Sequence, residues 1–173
     1  EAVPNVNRNV KSSALYGLIT YIEKIKSDKK LIPAEKTKYL DKIKSKLLKN
    51  YSVEIDFNIK ITALQGLRKY HDNTLVNHYL EGLNSPESGV IFETIINLSD
   101  YLDDKDYNKT IMNDFFSILL KSKPPVTYII IDNLLKIKDP ILINDINSKL
   151  NEFYKTVNDK EVMYYLKNNF LKQ

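Results

Sequence analysis

His71 and His78, and the acidic run Asp103-Asp104-Lys105-Asp106, bring together residue types that could ligate a metal or move a proton. The spacing argues against both. A spacing of seven residues sets the histidines roughly 10 Å apart along a helix, too far to share one ion, and Asp72-Asn73 between them reads as a turn. A calcium loop needs about twelve residues closing on a distal glutamate, which the acidic run lacks. A general acid needs a desolvating pocket, which an exposed polar turn does not provide. Serines are plentiful, yet no Gly-x-Ser-x-Gly elbow occurs. Gly82 and Gly89 stand alone rather than in a phosphate loop. The absence of cysteine removes thiolate nucleophiles, zinc–thiolate sites and disulfides together. The expectation is a non-enzymatic chain with no catalytic, metal-ligating or cofactor-binding residues and no cofactor.

Charge is the more informative chemistry. Residues 1–50 carry a net +7 and the remainder a net −3, giving +4 overall. Much of the excess lies on a helical pattern over 34–49. There Tyr39, Ile43 and Leu47 mark an apolar stripe, and Lys38, Lys42, Lys46 and Lys49 run beside it. Such a stripe is an electrostatic footprint for an acidic protein, nucleic acid or anionic lipid; the plainer alternative is a solvated helix face. Nucleic acid is disfavoured, because bidentate phosphate contacts favour arginine and the chain has only Arg8 and Arg68. The candidate partner-binding surface is Lys38, Lys42, Lys46 and Lys49, with His78 and Glu81 on the following helix pair.

These residues must be held by helices. The chain has 173 residues, 4 glycines and 6 prolines, too few turn formers for a sandwich or barrel. Helix signals divide it into pairs over 7–50, 57–84, 87–121 and 126–156, with a last helix over 159–171. Pro33 fits a first helical turn, Asp139-Pro140 reads as N-cap plus Pro at the first helical position, and Asp159 as a cap. The first helix is expected to bury Val10, Ala14, Leu18 and Ile22, and residues 51–56 to form a connector. No apolar run is long enough to span a membrane, and no linker divides the chain. A single all-α domain over 1–173 is expected.

The pairs repeat. Ala14-Leu15-Tyr16-Gly17-Leu18-Ile19-Thr20-Tyr21 and Ala63-Leu64-Gln65-Gly66-Leu67-Arg68-Lys69-Tyr70 agree at five of eight positions. Looser copies begin at Thr94 and Ile130, aligning Leu18, Leu67, Leu98 and Leu134. Recurrence of glycine at 17 and 66 predicts close helix approach at both. The second helices carry Leu40/Ile43/Leu47, Leu75/Tyr79/Leu83, Ile111/Phe115/Leu119 and Ile143/Ile146/Leu150. Repetition of a two-helix unit marks a helical solenoid, whose pairs share a continuous core.

Over residues 10–156 the pattern resembles HEAT-type repeats, with Asp139-Pro140 after the Leu134 helix as the closest local match. The resemblance implies a right-handed stack of about four antiparallel helix pairs closed by a C-terminal capping helix. It also implies a non-catalytic protein-interaction scaffold with a protein partner. An irregular helical bundle is the alternative fold. The Lys/Asn/Ile-rich, cysteine-free composition is similar to that of helical surface lipoproteins of spirochaetes. That similarity implies a surface-exposed adhesin domain held to a membrane by a removed lipid anchor. The alternatives for location are therefore the cytoplasm and, with a signal trimmed before Glu1, the cell envelope. A third functional reading is electrostatic binding of nucleic acid or anionic membrane through the 34–49 helix.

Overall fold

Helix-start chemistry sets where the elements begin. The computed structural model describes residues 7–171, and among these it contains nine α-helices and no strand. Pro33 occupies the first turn of its helix, and the Ile32 N–H donates to the Glu35 carboxylate at 3.2 Å. Asp56, Asp139 and Asp159 each accept the N–H two residues ahead at 2.9 Å. Each satisfies a donor that the first helical turn leaves unpaired. The Pro124–Pro125 bond that precedes the seventh helix is cis.

The chain divides into two compact units, Glu1–Leu75 and Val76–Gln173. The first holds α1 (Asn7–Ser27), α2 (Pro33–Val53) and α3 (Phe57–Arg68), each packed on both others, and ends in a 3-10 turn, Asn73–Leu75. Its core includes Leu15, Ile22, Ile25, Leu47, Leu64 and Leu67. The α1 stripe therefore differs from the expected one: Val10 is 61% exposed and Ala14 is exposed, while Leu15 and Ile25 are buried. The other two helices cover the Leu15–Ile22–Ile25 side. On α2, Tyr39 is likewise exposed rather than part of the core. The expected connector is shortened, because Tyr51–Val53 continues α2 and Tyr51 is buried.

The two repeated glycines part company. A Cβ on Gly66 would lie 2.8 Å from Ile19 Cγ1 and 2.9 Å from Leu47 Cδ1, so its absence lets α3 sit close to α1 and α2. A Cβ on Gly17 would meet nothing within 4 Å. The predicted close approach holds at Gly66 and fails at Gly17, which faces solvent.

The second unit holds α4 (Val76–Gly82), α5 (Ser88–Leu98), α6 (Asn108–Leu119), α7 (Val126–Leu134), α8 (Pro140–Thr156) and α9 (Lys160–Asn169). A 3-10 turn, Ser99–Tyr101, follows α5. Helix α4 packs on α5, α5 on α7, α7 on α9, α6 on α7 and α6 on α8. Leu98 and Leu134 are buried as expected, as are Ile111, Phe115 and Leu119 on α6. On α8 the stripe is shifted: Ile143 is 36% exposed and Leu142 is buried in its place beside Ile146 and Leu150. Stacking of Tyr128 on Tyr165, with ring centroids 4.4 Å apart, joins α7 to α9. The Tyr165 hydroxyl also donates to Asp132 at 2.5 Å.

Candidate functional site: a lysine face on α2 and the cleft beside it

The α2 lysines fall into two kinds: Lys36 and Lys44 are engaged within the unit, Lys36 by donating to the Lys26 carbonyl at 3.0 Å. Lys44 points toward the end of α3, where its ammonium pairs with the Asp72 carboxylate and lies 3.1 Å from the Thr74 hydroxyl. The Lys44 ammonium, helped by the Thr74 hydroxyl, holds the Asp72 carboxyl down at about 2. Lys38, Lys42, Lys46 and Lys49 are all exposed, and among the described residues none of their ammonium groups is held in an ion pair or side-chain hydrogen bond. At 100° per residue they span about 80° of helix circumference. Like charges one turn apart repel by a few tenths of a kcal/mol.

Other ion pairs in this unit consume its remaining acidic groups near the α2–α3 link. Arg8 pairs with Asp56 at 2.7 Å and Lys11 with Glu54 at 3.0 Å. The hydrogen bond from Lys11 draws the Glu54 carboxyl below its ordinary value. Burial pushes the Tyr70 phenol up to about 12, and its hydroxyl donates to the Leu40 carbonyl at 2.9 Å. These groups are structural clamps on the helices that carry the lysines.

His78 and Glu81, also predicted as surface residues, belong to α4 in the second unit, whereas the four lysines belong to α2 in the first. His78 Nδ1 lies 3.9 Å from Glu81 Oε2. His71 lies beyond the end of α3 at Arg68, with a positive φ of 48°, and shares no helix with His78. In the acidic run, the Asp104 carboxylate accepts the Asp106 N–H at 3.0 Å, an ordinary turn contact. Among the described residues no cluster of three or more His, Asp or Glu could hold a metal ion. No described helix is long and apolar enough to cross a membrane.

Two clefts went unnoticed in the sequence. One, of about 540 Å³, lies between α1 and α2 and includes Tyr21, Lys24, Tyr39 and Lys42 in its walls. Its sequence trace is the tyrosine pair, of which Tyr39 falls on the apolar stripe of α2. The other, of about 530 Å³, lies in the second unit and includes Ser85, Ser88, Lys121 and Lys123. In that unit too, burial raises the Asp114 carboxyl of α6 above its ordinary value. No family model, curated protein or solved structure matches the chain.

Proposed function

We propose that this chain is a non-catalytic binding module of stacked helix pairs, HEAT-like in plan, whose α2 lysine face binds an acidic surface of a protein partner. The contrast on α2 carries the reading. Lys44 is neutralised by Asp72, and four other lysines stand exposed, their ammonium groups in no ion pair among the described residues. An acidic partner relieves their mutual repulsion and is steered to them by the positive field. The stacked-pair plan is supported by helix order: α5, α7 and α9 follow one another as neighbours, and α6 lies on α8. Nucleic acid is the weaker reading, since Arg8 is already engaged by Asp56 and lysine offers phosphate only a point charge.

The test uses labelled poly-L-glutamate as an acidic probe, titrated by fluorescence anisotropy at several salt concentrations. The wild-type chain should bind with an affinity that falls as salt rises. A variant with Lys38, Lys42, Lys46 and Lys49 all changed to Glu should lose at least tenfold with its circular dichroism unchanged. Salt-independent binding, or none, removes the reading. Tighter binding of duplex DNA, with the steep salt slope of counterion release, would transfer the face to nucleic acid.

A further inference from the structure

The lysine face ends at the edge of the α1–α2 cleft. Leu18, Ile25, Leu31 and Ile43 form apolar walls, and Tyr21 and Tyr39 rise beside them, 59% and 47% exposed. Large aromatic side chains left this open beside a concave apolar surface are the type that anchors partners. Lys24 and Lys42 also line the cleft. The Lys24 ammonium sits 5.6 Å from the centroid of the Tyr21 ring. The one carboxylate in the lining, Asp28, is committed to its own turn, accepting the Lys30 N–H at 2.8 Å. Lys42 belongs to cleft and stripe alike, with Lys38 and Lys46 one turn to either side of it.

We infer that this cleft is the anchor pocket for the acidic partner. An amphipathic acidic helix of that partner inserts a Leu- or Phe-sized side chain beside Tyr21 and Tyr39. Its flanking carboxylates meet Lys42, Lys38 and Lys46. The inference rests on the reading of α2 as an acidic-partner face and adds the apolar half of the contact. The cleft is open to solvent rather than enclosed, which suits a helix whose outer face stays in water better than a ligand needing enclosure. Its cationic rim selects the charge of the occupant, because an apolar helix flanked by lysines would meet like charge.

The experiment compares three labelled helical peptides of about four turns. One carries leucine on one face and glutamate on the other, the second has alanine for each leucine, and the third lysine for each glutamate. The Leu/Glu peptide should bind at least tenfold tighter than the Ala/Glu peptide, and the Leu/Lys peptide should not bind measurably. Tyr39→Ala should abolish the leucine advantage, and Lys42→Glu should weaken both acidic peptides; both positions are exposed. Equal binding of Leu/Glu and Ala/Glu peptides would overturn the anchor pocket and leave the lysine face intact. Failure of both acidic peptides would remove the two readings together. Binding of the Leu/Lys peptide would overturn the charge selection. Tighter binding to phosphatidylglycerol vesicles than to the Leu/Glu peptide would assign the cleft to lipid and overturn the inference.

Discussion

Alanine at the two repeat glycines should act in opposite directions, although both positions lie in the first unit. Each replacement gains helix propensity, about 1 kcal/mol relative to glycine, chiefly by restricting the unfolded chain. At Gly17 nothing opposes this gain, since no atom lies within 4 Å of the new methyl. Gly17→Ala should therefore stabilise by about 0.5–1 kcal/mol. At Gly66 the methyl would sit 2.8 Å from Ile19 Cγ1 and 2.9 Å from Leu47 Cδ1, where carbon atoms prefer about 3.5–4.0 Å. Ile19 is β-branched and nearly confined to one rotamer in a helix, and Leu47 is fully buried. Relief must come from displaced helices or strained rotamers, at about 1–3 kcal/mol. The net for Gly66→Ala is a loss of roughly 0–2 kcal/mol. Urea unfolding followed by circular dichroism, with the slope checked for constancy, gives both values. In a Leu47→Ala background the Gly66→Ala penalty should shrink by about 1 kcal/mol, because the Leu47 methyls no longer obstruct and only Ile19 Cγ1 remains in the way. Equal stabilisation by the two glycine replacements would refute the close-approach argument.

Leu67→Ala and Leu134→Ala, at sites at most 1% exposed, should each destabilise by about 2–5 kcal/mol. Hydrogen exchange should show the Leu134 variant losing protection mostly in α5–α9 and least in α1 and α2. Asp72 has its folded-state pKa depressed to about 2. The stabilisation from its pairing with Lys44 should be complete above about pH 4 and fade as pH falls toward 2. Asp72→Asn should flatten that part of the acid-unfolding curve. Tyr165 behaves oppositely. Burial first, then the Asp132 carboxylate, raises its phenol to about 12, so its contribution is intact below about pH 10 and lost as pH rises toward 12. Tyr165→Phe should remove that alkaline loss when unfolding is followed against pH.

The helix plan was legible because its signals are local. Pro33, Asp139-Pro140 and Asp159 act within one turn of their own positions, and each opens a helix as expected. Burial on α1 was less legible, since the helix has apolar side chains on more than one side. Which stripe is covered depends on where α2 and α3 pack, a choice that periodicity within α1 does not contain. On α8 the same uncertainty exchanged Ile143 for Leu142. The lysine face was visible because four like residues share one helix side. The cleft beside it was not, because its walls come from two helices and the intervening turn, and exposure of Tyr21 and Tyr39 is a tertiary property. The glycine repeat shows the limit most plainly: identical octapeptide positions meet different neighbours, so sequence identity alone could not assign them the same role.

The way α1, α2 and α3 close on one another bears on how the protein is made. Each packs on both of the others, and the Lys44–Asp72 pair and the Tyr70–Leu40 hydrogen bond tie the group together. Every one of those partners precedes Leu75 in the chain. During synthesis the ribosome can therefore release a segment that completes these contacts before the later helices emerge, shortening the time that Leu47, Leu64 and Leu67 remain open to chaperones or to neighbouring nascent chains.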